Sequence, residues 1–410
     1  MPVLLIVLGI FFAIKFKFFY ILHPIKTFKT ILKNQRGGFK SLSLALAGTL
    51  GVGNIVGVSS AIVMGGAGSI FWMWVSAFCA MSLKYTEVYL AMAFRKNKNG
   101  VFYGGAPYYI NEGLSKKIGF KSAYILSCIF AIFCAVNSLT TGNLVQINSV
   151  SSLLPVSPLI FGIIFTVLTF AVICGGLKRI SSITSVLIPV LSLTYIILCL
   201  CIVFSSIDKI PNIFLIIVKD AFTPKAALGG FCGYGFTVAL RYGVCRGVLS
   251  NEAGCGTSPC AHASSECDNP HAQACLGVFE VFIDTVVLCT LTAFVIMLSD
   301  IKFASSPISL VLDAFERFFG KLGSGAVLIL CILFAFATVI CQFFYGVESI
   351  GYITKKRSVK RVFLFIFCLI LLIGAVIPMS LMWQISDLSI ATMTIINLIC
   401  LFLLRKNTTQ

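Results

Sequence analysis

Charged side chains are scarce in this chain, since only 11% of its 410 residues are Asp, Glu, Lys or Arg and only 14 are acidic. Soluble domains carry about 25% charged residues, and a soluble chain of this length needs a polar surface that this composition cannot supply. Histidine is scarcer still, with three residues, and no apolar run contains a metal-ligand constellation or a nucleophile paired with a base. The scarcity of charge excludes an ordinary soluble domain, and the scarcity of catalytic groups argues against a membrane enzyme.

Long apolar runs dominate the chain instead, because 59% of the residues are hydrophobic and 37 are phenylalanine. A transmembrane helix needs about 20 mainly apolar residues. Candidate spans are 1–22, 41–64, 67–93, 123–150, 157–175, 183–205, 226–249, 273–298, 324–350, 361–379 and 383–404. Lys15 and Lys17 interrupt the first run, which begins like a signal peptide but lacks a basic leader and a small-residue cleavage site, so we expect a short N-terminal helix there. The pattern predicts an all-α integral membrane protein with about 11 transmembrane helices.

The formal net charge of +17 would suit a nucleic-acid-binding protein, but most basic residues lie between the apolar runs and not in a stripe along one domain. Alternate connectors lie on the same side of the membrane. The connectors on one side, which include 94–122 and 351–361, hold 21 Lys and Arg, with Arg246 included in the count. The opposite connectors, 206–225 and 299–323, hold six. Because basic residues concentrate in cytoplasmic connectors, we expect a multi-pass protein of the cell membrane with a cytoplasmic C-terminus, an external N-terminus and no nucleic-acid partner.

The 17 cysteines show no spacing typical of a disulfide framework, and most lie in apolar runs, where they act as small hydrophobic residues. One group of cysteines and histidines falls near a predicted connector: Cys255, Cys260, His262, Cys267, His271 and Cys275. Its spacings match no standard pair of zinc ligands. We therefore interpret the group as part of a connector in a reducing cytoplasm and not as a metal site.

The chain divides into an N-terminal helix with its connector, 1–40, and two halves, 41–205 and 226–404, of five predicted spans each. An odd number of spans per half gives the two halves opposite orientations in the membrane. Glycines interrupt the first span of each half, at 48–54 and at 243–254. Interrupted helices at matching positions of inverted repeats are the strongest sequence indication of a binding site at the membrane midplane.

The chemistry of such interruptions favours an amino acid as ligand. Unwinding a helix inside the bilayer frees N–H and C=O groups, which protein, water or ligand must satisfy. A half-helix N-terminus attracts a carboxylate, whereas free carbonyls attract an ammonium group or Na⁺, so an amino acid with a cation satisfies both sets. The alternative is close helix packing through small residues, which suits Gly65, Gly66 and Gly68 but does not explain why the interruption occurs in both halves.

Several ordered motifs carry a family resemblance. They are 47–58 (AGTLGVGNIVGV), 65–74 (GGAGSIFWMW), 246–254 (RGVLSNEAG), 261–263 (AHA), 280–285 (EVFIDT) and 334–338 (FAFAT). From about residue 41 onward the chain resembles the alanine-or-glycine:cation symporter family, which includes the sodium:alanine symporters. The resemblance implies a leucine-transporter-type fold of five-plus-five inverted helices with one extra N-terminal helix. It also implies uptake of alanine, glycine or a close relative with Na⁺ as coupling ion and no other cofactor.

The resemblance also implies site residues in this sequence. The substrate-binding positions are Thr49, Gly51, Gly53, Gln146, Leu249, Thr338 and Gln342. The sodium-binding positions, through carbonyl oxygens and the Thr338 hydroxyl, are Ala47, Leu50, Phe334, Ala337 and Thr338.

Three of these positions depart from the usual pattern of the family. Ala337 stands where Ser or Thr is frequent, which removes a sodium-binding oxygen and leaves proton coupling open. Leu249 replaces Phe and Gln342 replaces Trp, so the substrate pocket is larger and contains an amide. That pocket would admit a polar amino acid such as glutamine, asparagine or serine. Alternatively, the Gln342 amide bonds the Gln146 amide, since a buried amide needs a partner.

Ionisable residues inside predicted spans are costly and are usually paired or functional. Lys84 and Glu87 are about one helical turn apart, and we interpret them as a local pair. Glu252 lies beside the second interruption, where we expect it to anchor the unwound segment.

Glu280 and Asp284 are four residues apart and share one helix face. The two carboxylates would bind a cation, share a proton or pair with Arg241 or Arg246. We group Glu252, Glu280, Asp284 and Arg246 as a gating or charge network, with pairing and gating favoured over direct ion coupling.

An ion channel is the competing function class. A channel lines its pore with rings of groups from several subunits, whereas the two halves of this chain invert within one polypeptide. Uptake that saturates and requires a gradient would distinguish a carrier from a channel.

Overall fold

The computed structural model describes residues 2–33, 37–222, 234–301, 307–377 and 379–408, which are mainly helical. The helices are α1 (Pro2–Lys15), α2 (Phe19–Leu22), α3 (Pro24–Lys33), α4 (Gly38–Thr49), α5 (Val58–Gly65), α6 (Gly68–Ala93), α7 (Ala106–Ile118), α8 (Phe120–Leu139), α9 (Val145–Ser151), α10 (Pro158–Ile173), α11 (Gly176–Ser205), α12 (Ile210–Phe222), α13 (Tyr234–Asn251), α14 (Pro259–Ala263), α15 (Pro270–Val281), α16 (Thr290–Ser299), α17 (Pro307–Ile353), α18 (Arg357–Gly374) and α19 (Met379–Leu403). Two strands, β1 (Lys96–Lys98) and β2 (Val101–Tyr103), pair antiparallel. π-Helical segments occur at Gly53–Gly57, Thr140–Leu144 and Phe282–Cys289.

Several helices are long and apolar enough to cross a bilayer. Within the described residues they are Phe120–Ser151, Gly176–Ser205, Pro270–Ser299, Ser309–Ile353 and Ile385–Leu403. A sixth candidate is the pair α4 and α5, which is bent by 51°. The described part of the chain is therefore mainly helical, with several helices of the length and composition of membrane spans, as expected for a multi-pass membrane protein. The count of eleven spans and the inverted repeat stay predictions.

The N-terminal helix α1 ends at Lys15, because Lys17 and Phe18 adopt left-handed backbone conformations with φ of 51°. Residues other than glycine rarely adopt that backbone conformation. The two residues separate α1 from α2. The Lys15 ammonium donates to the Arg405 carbonyl and to the Thr408 hydroxyl. The end of α1 therefore lies beside the C-terminal segment.

The predicted connectors contain regular structure. Between α6 and α8, β1 and β2 meet at Asn99 and Gly100, both with positive φ, as a two-residue hairpin turn of type I′ requires. The helix α7 follows these strands, and α12 occupies the 206–225 connector. In α17, Gly320 has φ of 65° and ψ of −162°, which separates residues 307–319 from the long apolar helix that follows.

Connectors predicted to share a side contact one another. The Arg95 guanidinium donates to the carbonyls of Ser265 (2.6 Å) and Cys267 (2.9 Å), and the Lys117 ammonium donates to the Leu403 carbonyl. Arg95 and Lys117 belong to the 94–122 connector, Ser265 and Cys267 to the connector between the spans 226–249 and 273–298, and Leu403 to the end of the last span. All three segments lie on the side that is predicted to be rich in basic residues. That this side faces the cytoplasm stays a prediction.

Helix α15 packs closely on α6. The side chain of Asn269 caps the N-terminus of α15 by accepting from two backbone amides, and Pro270 occupies the first turn, where a missing N–H is tolerated. A Cβ atom added to Gly277 would lie 2.8 Å from Cγ2 of Val88 and 3.1 Å from Cγ of Lys84. This close approach brings the polar residues of α15 beside the buried amine of Lys84.

Candidate functional site

The first helix of the first half breaks after Thr49. Leu50 leaves the helical conformation with φ of −75° and ψ of 79°, and the Gly51 amide donates to the Thr49 carbonyl at 2.9 Å. A continuing α-helix would use that amide for the Ala47 carbonyl. The carbonyls at the end of α4 are therefore available to other partners. The chain resumes as the π-helical segment at Gly53 and then as α5.

The second interruption lies later than the glycine pattern predicted. Residues 243–251 continue α13, so Arg246 is inside a helix and not in a connector. The helix ends because Glu252 has φ of 50°, and Gly254 and Gly256 follow with positive φ. The basic-residue count on the predicted cytoplasmic side should therefore omit Arg246.

A small cavity of about 20 Å³ lies beside the first break. It is lined by Gly48, Thr49, Val52, Gly53, Val56, Thr141, Val145, Gln146, Ser149, Leu249 and Glu252. A volume of this size holds about one water-sized sphere.

Four of the seven predicted substrate-binding residues, Thr49, Gly53, Gln146 and Leu249, line this cavity. Thr141 and Ser149 also line it, and nothing in the sequence indicated them, because hydroxyl residues on an apolar helix carry no distinctive pattern.

Gly51, Thr338 and Gln342 do not line the cavity but lie close to its walls. A Cβ atom added to Gly51 would lie 2.6 Å from Oγ1 of Thr338 and 2.8 Å from Oε1 of Gln146. In the same way, a Cβ atom added to Gly142 would lie 2.4 Å from Cβ of Gln342. These two glycines allow the broken helix, α17 and the segment before α9 to approach closely, which only a residue without a side chain permits.

Gln146 stabilises the unwound segment. Its Oε1 atom accepts from the Val52 amide at 3.1 Å, and its Nε2 atom donates to the Thr141 carbonyl at 3.4 Å. The alternative in which Gln146 and Gln342 bond each other is therefore wrong.

Gln342 bonds a carboxylate instead. Its Nε2 atom donates to Oε1 of Glu252 at 2.8 Å and to the Gly48 carbonyl at 3.3 Å. Its Oε1 atom is buried and has no partner among the described residues. The other carboxylate oxygen of Glu252 accepts from the Thr257 hydroxyl at 2.5 Å. Glu252 thus holds the segment after α13, as expected, and also presents its side chain to the cavity.

Oxygen atoms converge at the predicted sodium position. The Thr338 hydroxyl lies 3.0 Å from the Phe334 carbonyl and 3.3 Å from the Leu50 carbonyl. Ala337 is buried in the same helix and has no side-chain oxygen. Hydroxyl and carbonyl oxygens are ligands typical of hard cations, so the donor set fits Na⁺.

Comparison with known proteins decides the family. The model described as the sodium:alanine symporter family matches residues 1–410, the whole chain. The chain belongs to this family. The match extends the resemblance, which the motifs placed from about residue 41, to the N-terminal helix. The family is one of transporters and not of enzymes.

Two similar relatives of this family member have informative names. The sodium/alanine symporter AgcS of Methanococcus maripaludis is 37% identical over 376 residues, covering 89% of this chain and 81% of the relative. The "probable sodium/glutamine symporter GlnT" of Bacillus subtilis is 34% identical over 419 residues, covering 98% and 85%. Identities of this size do not distinguish alanine from glutamine as substrate.

A solved structure supports the fold. A substrate-bound, outward-open Na⁺-coupled sialic acid symporter matches with a TM-score of 0.51 and 10% sequence identity, covering 99% of this chain and 81% of that chain. At this identity the likeness shows the fold alone.

The prediction that Lys84 and Glu87 form a local pair is wrong. The Lys84 ammonium lies 3.2 Å from the Glu280 carboxylate and also donates to Ser258 Oγ at 2.6 Å. The second oxygen of Glu280 lies 2.9 Å from His262 Nε2. Lys84, Glu280 and His262 are completely buried, so the helices α6, α15 and α14 are joined by a polar network inside the protein.

Glu87 has neutral partners. Its Oε1 atom accepts from the Asn397 amide group at 2.5 Å and from the Gly256 backbone amide at 2.9 Å. The carboxylate therefore ties α19 to the segment that follows α13.

Asp284 also bonds neutral groups and not an arginine. Arg241 and Arg246 lie in α13 and form no ion pair with Asp284 or Glu280 within the described residues. Among the residues that the structure describes, Arg246 therefore forms no ion pair with Asp284 or Glu280, and the predicted gating or charge network stays a prediction.

The cysteine and histidine group is dispersed. The side chain of His262 contacts Glu280, whereas Nδ1 of His271 lies 2.6 Å from the Tyr85 hydroxyl. No set of three or more metal-ligating side chains comes together in the part of the chain that the structure describes.

Proposed function

We propose that this protein is a sodium-coupled importer of a small neutral amino acid, most directly alanine or glycine. The observation that carries the proposal is the convergence of the Thr338 hydroxyl with the Leu50 and Phe334 carbonyls, beside a cavity lined by Thr49 and Gln146. Family membership and the names of the relatives support sodium coupling and an amino acid substrate.

The break would bind both ends of the substrate. The N-terminal side of α5, beginning at the π-helical segment of Gly53, attracts the substrate carboxylate through its dipole. The Glu252 carboxylate and the carbonyls of Gly48 and Thr49 would accept from the substrate ammonium group. Gln146 would orient the unwound chain through its bond to the Val52 amide. Sodium at Thr338 would hold α17 against the end of α4, which couples ion binding to the shape of the substrate site.

The proposed architecture is a five-plus-five inverted repeat of residues 41–205 and 226–404. In support, a short helix stands between the second and third spans of both halves, α7 in the first and residues 307–319 in the second. The first helix of each half also ends in non-helical backbone, after Thr49 and after Asn251. We further propose that the basic connectors are cytoplasmic and the N-terminus external.

A polar amino acid such as glutamine, asparagine or serine is the second candidate. Gln342 leaves a buried amide oxygen without a partner, and Glu252 presents a carboxylate to the cavity. Both groups are acceptors, and the N–H groups of a substrate side-chain amide would donate to them. A site that hydrogen-bonds such a group rejects analogues that lack it.

Purified protein in liposomes tests the proposal. Uptake of a panel of labelled amino acids would be measured with an inward Na⁺ gradient, with equal Na⁺ on both sides, and with a pH gradient in Na⁺-free buffer. We expect saturable alanine or glycine uptake only with Na⁺. Equal uptake under the pH gradient alone would assign the coupling to protons, and uptake that does not saturate would indicate a channel.

A further inference from the structure

The segment that joins α1 to α4 carries only positive charge. The first acidic residue of the chain is Glu87, whereas basic residues occur at Lys15, Lys17, Lys26, Lys29, Lys33, Arg36 and Lys40. Within the described residues, no carboxylate forms an ion pair with Lys17, Lys26 or Lys29. The charge of these three lysines is therefore available to a partner outside the chain.

Helix α3 presents three different faces. Thr27 is buried and faces the protein, where α3 packs against α15. Ile25 and Phe28 form a second face, with 72% and 49% of their surface exposed. Lys26 and Lys29 form the third face and are also exposed. Residues three apart lie on one side of a helix, so each pair makes a continuous face, one apolar and one basic.

The residues around α2 extend the apolar face. Leu22 is 65% exposed, and Phe18 and Ile21 are each 39% exposed. Together with Ile25 and Phe28 they make a group of large apolar side chains that the described part of the protein leaves uncovered. Such groups mark a contact with a membrane or another protein. An apolar face beside a lysine-rich face is typical of a helix that lies in the plane of the membrane interface.

Contacts of this segment lie at the ends of the apolar helices. The ring of Phe19 is 6.0 Å from the ring of His271, the second residue of α15. Lys15, at the end of α1, contacts the carbonyl of Arg405, just beyond α19. The Pro270–Ser299 helix has 30 residues, so it is about 45 Å long and exceeds the hydrocarbon thickness of about 30 Å. Its first turns, and the helices beside them, therefore reach the headgroup region.

We propose that residues 17–33 form an interfacial segment that binds anionic phospholipid headgroups. The exposed apolar side chains enter the boundary of the hydrocarbon, and Lys17, Lys26 and Lys29 contact the headgroup phosphates. Charge complementarity identifies the occupant, because a basic cluster beside a transmembrane helix attracts anionic lipid. The inference does not depend on the substrate or the ion that the protein transports.

Fluorescence quenching by brominated lipids tests the inference with the full chain in vesicles. Ile25→Trp adds a fluorescent side chain to the exposed apolar face, and the signal of the three native tryptophans is subtracted with the unsubstituted protein. Brominated phosphatidylcholine should quench the added fluorescence, since the side chain lies at the hydrocarbon boundary. Replacing part of the phosphatidylcholine with brominated phosphatidylglycerol gives the relative affinity for anionic lipid. We expect a preference for phosphatidylglycerol that falls as salt is raised.

Lys26→Gln combined with Lys29→Gln, in the Ile25→Trp protein, removes two charges from exposed side chains. Each lysine near an anionic surface contributes about fivefold in affinity, so the preference should fall by at least about fivefold. Lys26→Arg combined with Lys29→Arg keeps both charges and should keep the preference. Lys355→Gln combined with Lys356→Gln is the matched control, because it removes two exposed lysines from another basic connector and should leave the preference at position 25 unchanged.

The outcomes separate lipid binding from other uses of this surface. An absence of quenching by both brominated lipids would overturn the interfacial position. Quenching without a preference for phosphatidylglycerol, or a preference that the two glutamine substitutions in α3 reduce no more than the control does, would overturn the anionic-lipid site. Sodium-coupled uptake is measured independently, so its failure would contradict the proposed function and leave the lipid site standing.

Discussion

Replacing Thr338 with valine removes one oxygen from the proposed sodium site and keeps the shape of the side chain. The Thr338 hydroxyl is buried, at 3.0 Å from the Phe334 carbonyl and 3.3 Å from the Leu50 carbonyl. Loss of a partner in a buried polar site costs on the order of 1–3 kcal/mol, which corresponds to a roughly 5- to 150-fold weaker affinity. We expect the Na⁺ concentration for half-maximal uptake to rise by that factor, with much less change in the maximal rate.

Uptake of labelled alanine into liposomes, measured over a series of Na⁺ concentrations at constant ionic strength, gives this quantity. Thr338→Ser is the matched control, because it keeps the hydroxyl and removes only a methyl group. The serine variant should resemble the native protein. If valine and serine at position 338 require the same Na⁺ concentration as threonine, the hydroxyl is not a ligand and the assignment of the site fails.

Three further predictions follow from other parts of the molecule. In intact cells, an impermeant thiol reagent should label Asn212→Cys but not Lys356→Cys, and the reverse labelling would contradict the proposed orientation. Unlabelled glutamine should inhibit native uptake and lose potency in Gln342→Trp; if glutamine never competes, even at high excess, the second substrate candidate is excluded. Lys84→Met leaves Glu280 buried without its ammonium partner, and breaking a buried pair costs about 3–5 kcal/mol. The thermal unfolding temperature in detergent should therefore fall, and adding Glu280→Gln should recover part of the loss; an unchanged temperature would refute the pairing.

The helices and the first break could be predicted from the sequence because their causes are local. Inside a bilayer each backbone N–H needs a partner within its own segment, so a long apolar run predicts a helix wherever it occurs. Glycines 48, 51 and 53 indicated the first break correctly, and α4 ends at Thr49. The second glycine pattern was less precise, since Gly243 and Gly247 pack against α6 inside a continuous helix. The sequence does not distinguish a glycine that breaks a helix from one that allows close packing.

The partners of buried polar groups depended on the tertiary structure. Lys84 and Glu87 are neighbours along one helix, yet Lys84 contacts Glu280 from α15, because the close approach at Gly277 brings that helix against α6. Gln342 likewise bonds Glu252 and not Gln146. The sequence by itself determined the membrane class, the family motifs and the position of the first break, since hydropathy and backbone chemistry act over short stretches of chain. Only the packing of helices that are distant in sequence decided which buried charges have a partner of opposite charge. A hydrogen bond between residues about 90 or 200 positions apart leaves no pattern in the local sequence.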